Sequence, residues 1–176
     1  MVAMNAIEKQ IRLSIIRDIN EAFADVQLED GVTLRQARVM DHFWLSKSEV
    51  TKPGTEGRWQ DISDSKLCQF NDVLAFLDRK GLQFYLPAFM IWTLKHLDDG
   101  PHSKHSGLND STTFAVMNFR PDNLITDKQG KAIYRFFDFI CHLHYPGTGK
   151  WYEYLAAQAE NDYKEFLAAG WRKFSD

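Results

Sequence analysis

The histidines are candidate metal ligands, because an imidazole can bind a metal ion. His102 and His105 lie three residues apart in a polar segment that also carries Asp98, Asp99 and Asp110. A zinc site needs three or four ligands and outer hydrogen bonds that hold them, and this segment supplies no complete set. His142 and His144 lie two apart, a spacing that does not place both on one helix face. We therefore predict solvated histidines, no metal site and no cofactor.

Nucleophilic catalysis needs a nucleophile, a base and a group that orients the base. Cys141 and His144 lie three residues apart, so one helix face could bring them together. Both also lie on an apolar stripe, where a buried and unreactive thiol is the commoner arrangement. We name no catalytic residue, and the pattern favours a protein without catalysis while leaving the enzyme question open.

A phosphate site needs a glycine-rich turn that leads into a helix. The segment Pro146-Gly147-Thr148-Gly149-Lys150 has part of this pattern. It lacks the P-loop spacing and the Ser or Thr after the lysine, and no clear strand precedes it. We interpret it as a turn that connects two helices.

Four polar or aromatic residues are expected beside the apolar centre of the protein, and two of them lie within the most apolar stretch of the chain, Gly81 to Leu97. They are our candidate binding surface: Trp59, Asp61, Tyr85 and His96. Exposed aromatic residues are typical anchors of protein interfaces. We therefore expect a non-catalytic protein-binding module, similar to immunity or adaptor proteins. The alternative is a small-molecule-binding protein or enzyme with a pocket beside a central helix at residues 87–97.

Composition sets the broad class. The chain has 176 residues, of which 44% are apolar and 14% aromatic, and this predicts one globular domain over residues 1–176. The net charge is -3, from 21 basic and 24 acidic residues that form no long block of one sign. A nucleic-acid or membrane surface needs clustered basic residues, so we expect neither partner.

The cysteines and the N-terminus predict a cytoplasmic protein. Cys68 and Cys141 both have apolar neighbours, and we expect reduced, buried thiols. The first residues show no basic segment followed by an apolar core, so no signal peptide is expected. The apolar run that ends at Leu97 contains Gln83, Pro87 and Lys95, and it is too short and mixed to span a bilayer.

Three capping boxes predict helix starts, because a Ser, Thr or Asn and a Glu or Gln three residues later satisfy each other's backbone N–H groups. They are Asn5 with Glu8, Thr33 with Gln36, and Thr126 with Gln129. After the first, isoleucines recur every fourth residue from Ile7, and Phe23 ends this stripe. It predicts a core helix, with a homodimer through this helix as the alternative.

The remaining elements are less regular. Ser63 is expected to cap a short helix over Asp64–Cys68. Two apolar runs separated by Asp78-Arg79-Lys80-Gly81 favour a β-hairpin over residues 70–86, with a short helix as the alternative. Pro87 then suits the first turn of a helix. Thr113–Phe119 is expected to form a short strand or an extended arm.

The last helix is expected from Lys150 to Ala169, with Gly170 at its end. Together these elements predict a mainly α (α+β) fold. It would be a compact helical domain of about five helices with a small β-hairpin or short strands.

The chain also resembles a family of uncharacterised, mostly bacterial proteins, a domain of unknown function with a central G-x-x-F-Y-L-P-A-F-M motif. The residues that carry the resemblance are A-F from Ala22, L-R-Q-A-R-V-M-D at Leu34–Asp41, W-Q-D-I at Trp59–Ile62, F-L-D-R-K-G-L-Q-F-Y-L-P-A-F-M at Phe76–Met90, and L-I-T-D-K-Q-G-K-A-I-Y-R-F-F at Leu124–Phe137. The resemblance implies a small cytosolic protein without a known activity, and it transfers no catalytic residue. The last helix, from Trp151, lies outside it.

Overall fold

A computed structural model describes residues 4–41, 56–97, 106–122, 124–142 and 150–175. Several features singled out above lie outside these residues. They are the histidines His102, His105 and His144 and the turn at Pro146–Gly149.

The described residues form seven α-helices and no strand, so the prediction of a mainly helical fold is confirmed. The helices are α1 (Ala6–Ala22), α2 (Leu34–Asp41), α3 (Asp64–Gln69), α4 (Arg79–His96), α5 (Ser106–Asn118), α6 (Asp127–His142) and α7 (Lys150–Ala168). Short 3-10 turns occur at Trp59–Asp61, Leu74–Phe76 and Trp171–Phe174. No described helix is long and apolar enough to cross a membrane.

The three capping boxes are confirmed. Asn5 and Glu8 exchange backbone-to-side-chain hydrogen bonds of 2.8 and 2.9 Å. The other two boxes, Thr33 with Gln36 and Thr126 with Gln129, have the same reciprocal bonds. Ser63 caps α3 by accepting the backbone N–H of Lys66. These four helix starts could be predicted because each cap is a contact between residues three apart in sequence.

The predicted hairpin over residues 70–86 is wrong. Leu74–Phe76 is a 3-10 turn, and α4 begins at Arg79 with Asp78 as its N-cap. The side chain of Asp78 accepts the N–H of Gly81 at 2.8 Å, so the predicted hairpin turn is a capped first helical turn. The residues that follow are buried on nearly every side, and this removes the periodicity that separates a helix from a strand.

Two further expectations, for Pro87 and for Thr113–Phe119, are also wrong. Pro87 lies inside α4 and not at its start. Thr113–Phe119, predicted to be extended, belongs mostly to α5. The buried residues there are Thr112, Ala115, Val116 and Phe119, whose three- and four-residue spacing is that of a helix face. The β-branched side chains of Thr112 and Val116 favour strands only weakly, and burial outweighs that preference.

The chain divides into two compact units. Unit 1 comprises Met1–Ala22 and Val116–Asp176. In it α6 packs against both α1 and α7. The rings of Phe137 and Phe166 stack at 4.2 Å, and Phe166 stacks on Trp171 at 5.0 Å. The C-terminal turn therefore contributes to the core of this unit.

Unit 2 comprises Phe23–Ala115 and is built on α4. Residues Phe84 to Leu94 are all buried. The Trp59–Asp61 turn and α3 pack against this helix, and α2 packs against the Leu74–Phe76 turn. The prediction of one domain over residues 1–176 stays a prediction.

Gly130 on α6 lies directly against the ring of Phe174 in unit 1. A Cβ at this position would lie 2.3 Å from two ring carbons of Phe174. No side chain fits at that distance unless the ring moves. Phe174 is buried, so the ring has little room to move.

We expect Gly130→Ala to lower the free energy of unfolding by about 1–3 kcal/mol, because overpacking outweighs the better helix propensity of alanine. Urea denaturation followed by circular dichroism measures this. Gly57→Ala is the matched control, because a Cβ there meets nothing within 4 Å. Phe174→Leu should cost less in the Gly130→Ala background than alone. Additive effects would contradict the steric explanation.

Candidate functional site

Trp59 is buried and acts as a structural anchor. It is 2% exposed, and its indole Nε1–H donates to the backbone carbonyl of Phe23 at 2.7 Å. Gln60, next in sequence, donates to the carbonyl of Ala24. These bonds hold the Trp59–Asp61 turn on the chain that follows α1.

Tyr85 is fully buried on α4. Burial and the nearby carboxylate of Glu56 raise the pKa of its hydroxyl well above the usual value. Glu56 is itself held by Lys66, whose Nζ lies 2.7 Å from the carboxylate. The Tyr85 hydroxyl therefore stays protonated and neutral over the physiological range.

The other two predicted residues are more accessible. Asp61 is exposed at the end of its turn. His96 is half-buried at the end of α4, and its ring stacks on Trp92 at 4.1 Å. The Trp59–Asp61 turn packs against the helix that carries Tyr85 and His96, but burial of Trp59 and Tyr85 keeps these four residues from forming one exposed surface.

A surface groove lies elsewhere in unit 2. Its volume is about 220 Å³. One wall comes from the segment between α3 and α4 and the other from α5, and the lining residues are Asn71, Asp72, Leu74, Ala75, Ser111 and Phe114. Leu74 is buried and forms the floor, while Phe114 is 58% exposed. Phe76, just beyond the groove, is also exposed.

Arg38 of α2 holds one wall of this groove in place. Its two Nη atoms donate to the two carboxylate oxygens of Asp72 at 2.8 and 2.6 Å. Nη2 also donates to the carbonyl of Gln69 at 2.6 Å, and the guanidinium lies over the ring of Phe70. A planar fork with this many partners fixes the position of the segment.

Neither Arg38 nor Phe114 was predicted from the sequence. The exposure of Phe114 could have been predicted. If the segment is assigned as a helix, Phe114 lies on the side opposite the buried face formed by residues 112, 115, 116 and 119. The pairing of Arg38 with Asp72 had none, since 34 residues separate them.

Unit 1 contains a second polar cluster, between α6 and α7. The hydroxyls of Tyr134 and Tyr163 lie 2.7 Å apart, and Tyr163 donates to Asp138 at 2.7 Å. His142 Nδ1 lies 2.8 Å from the carbonyl of Asp138. Burial and these hydrogen bonds raise the pKa of Tyr163, so its hydroxyl stays protonated. The geometry of this cluster fixes α7 on α6.

The cysteines differ in their surroundings. The expectation of two buried thiols is wrong for Cys68, which is exposed because α3 turns the adjacent Leu67 inward. Cys141 is half-buried. Burial and the carboxylates of Asp162 and Asp138 raise the pKa of its thiol to about 12. Among the described residues, no group of three or more His, Cys, Asp or Glu side chains could hold a metal ion.

These features define a mainly helical protein with an exposed apolar groove. A model of the family described as "Family of unknown function (DUF6714)" matches residues 11–148. The chain belongs to this family. No curated protein and no solved structure matches the chain. The family match ends before α7, whose buried Phe166 contributes to the core of unit 1.

We expect Arg38→Ala to lower the free energy of unfolding by about 1–2 kcal/mol, because Asp72 and the carbonyl of Gln69 lose a charged donor at a partly exposed site. Arg38→Lys should retain only part of this stabilisation, since an ammonium group cannot make the bidentate contact. Urea denaturation measures both. Arg35→Ala, an exposed position on the same helix, is the control, and an equal loss there would contradict the clamp.

We expect Cys68 to be alkylated much faster than Cys141 at pH 8. Only the thiolate reacts, and a thiol with a pKa near 12 is almost wholly protonated at that pH. Iodoacetamide labelling followed by peptide mass spectrometry gives the two rates. In guanidinium chloride the two cysteines should react alike, and a persistent difference would show that the fold is not its cause.

Proposed function

We propose that this protein is a non-catalytic protein-binding module, with an immunity- or adaptor-like role in the cytoplasm. The observation that carries the proposal is the exposed ring of Phe114 at the edge of the groove. A large aromatic side chain at a concave and prearranged surface is typical of the few residues that dominate a protein interface. Two free thiols support the cytoplasmic location, where disulfides are rare.

The groove has the layout of a small interface. Its lining is apolar at Leu74, Ala75 and Phe114 and polar at Asn71, Asp72 and Ser111, and we call these polar residues its rim. Interfaces commonly combine an apolar centre with a hydrogen-bonding rim. Because Arg38 already fixes one wall, a partner would lose less free energy in ordering this surface.

We expect Phe114→Ser to abolish capture of a stoichiometric protein partner from the lysate of the native host. Loss of a central aromatic anchor costs at least about 2 kcal/mol, or roughly thirtyfold in affinity. Affinity capture of the tagged full chain with mass spectrometry measures it. Leu124→Ser is the matched control, because Leu124 is a 48% exposed apolar residue of unit 1.

If both variants lost the partner equally, or if neither lost it, the assignment of partner binding to this groove would be contradicted. Recovery of a metabolite without a protein would favour the alternative, a small-molecule-binding protein or enzyme with a pocket beside residues 87–97. The buried Tyr85 hydroxyl next to Glu56 is the feature that supports this alternative.

A homodimer through α1 is a second candidate. Ile15 and Ile19 of the predicted stripe are buried, whereas Ile7 is 73% exposed and Ile11 is also exposed. Only the first two turns of the stripe are therefore accessible to a second copy. An exposed apolar strip of this kind suits an isologous helix contact.

We expect Ile11→Glu to convert a dimer to a monomer, because two carboxylates would enter one apolar contact. Light scattering after size exclusion at several concentrations measures the mass. Leu13→Glu is the control, since two residues along a helix is a rotation of about 200° to another side. A wild-type monomer at every concentration would overturn the dimer.

A further inference from the structure

We infer that the groove of unit 2 accepts one uncharged, ring-sized side chain of a protein partner, a leucine or an aromatic residue. This inference rests on the proposed function and names the chemistry that its site would recognise. Three features of the groove carry it: its size, its charge and the polar residues of its rim.

The size of the groove limits its occupant. Pockets for drug-sized ligands and cofactors measure about 300–1,000 Å³. A cavity of about 150 Å³ with apolar walls is enough to hold benzene. The volume of about 220 Å³ lies between these values, so the groove suits a single ring or branched side chain. It is too small for a nucleotide or a similar cofactor.

The charge of the groove argues against an ionic partner. Among the described residues that line it, Asp72 alone is ionisable, and both of its carboxylate oxygens accept from Arg38. A guanidinium and a carboxylate in this geometry cancel each other's charge at short range. A charged side chain in the groove would therefore meet no opposite charge that is not already paired among these described residues, whereas an apolar side chain would gain contact with Leu74, Ala75 and Phe114.

The polar residues of the rim suit the main chain of a partner. Asn71 and Ser111 lie on opposite walls, with the amide and the hydroxyl as their functional groups. Both can donate and accept hydrogen bonds. The apolar floor at Leu74 would bind the anchor, while the rim would meet the peptide groups on either side of it.

The test uses the full-length chain, labelled with ¹⁵N, and acetylated amino-acid amides as probes. N-acetyl-phenylalaninamide and N-acetyl-leucinamide are compared with N-acetyl-lysinamide and N-acetyl-glutamic acid amide. Dissociation constants on the order of 1 mM are expected for apolar probes of this size. Amide shifts at Asn71, Leu74, Ala75 and Phe114 report binding.

A variant that fills the groove separates specific from adventitious binding. Ala75 is exposed, so Ala75→Trp places a ring in the groove without disturbing the core. It should weaken binding of the apolar amides at least tenfold. Ala157→Trp, at an exposed position of α7, is the control and should leave binding unchanged. Unchanged spectra elsewhere confirm that each variant folds.

Saturable shifts of the groove residues with both apolar amides, lost only in Ala75→Trp, would support the inference. Charged amides that bind as tightly as the apolar ones would overturn it. Apolar amides that bind the Ala75→Trp variant as tightly as the wild type would also overturn it. So would apolar amides that leave the amide signals of the groove residues unshifted at a probe concentration 50 times the expected dissociation constant of about 1 mM. If these probes fail while capture still depends on Phe114, the inference falls and the proposed function stands.

Discussion

Unit 2 depends on one carboxylate. Asp78 Oδ1 accepts the N–H of Gly81 at 2.8 Å and the N–H of Val32 at 2.9 Å. The first bond starts the central helix, and the second ties that start to the segment leading into α2. The backbones pass so closely that a Cβ on Gly81 would lie 2.4 Å from the carbonyl oxygen of Val32. Glycine at this position therefore has a steric cause, and it is the glycine that opens the central motif.

The groove follows from this junction. Asp78 sets where α4 begins, and the chain before it turns through Leu74–Phe76 to reach that point. The same junction positions α2, from which Arg38 reaches back to Asp72 and Gln69. An exposed apolar surface thus lies on a backbone held by charged hydrogen bonds. Such a surface would need little reordering to meet the partner that we propose, whereas Trp59 and Tyr85 fill the core.

Local structure could be predicted from the sequence where the deciding contacts are local. The capping boxes at Asn5, Thr33 and Thr126 link residues three apart, and the isoleucine stripe of α1 repeats about once per turn. The predictions for residues 70–86 and 113–119 were wrong. In the first segment burial on nearly every side hides the helical period, and the second segment is too short for its helical spacing to decide between helix and strand. Trp59 and Tyr85 were expected at the surface, because an aromatic residue next to polar neighbours looks the same in sequence whether it is buried or exposed.

The sequence by itself determined the helical class, most helix starts and membership of a family of unknown function. Only the tertiary structure decided that Asp78 begins a helix instead of a hairpin turn, since its second partner, Val32, is 46 residues away. It also decided which aromatic rings reach the surface. The exposure of Phe114 and the contact of Arg38 with Asp72 both depend on chain segments that are distant in sequence but close in the fold. No local sequence pattern encodes such a long-range contact.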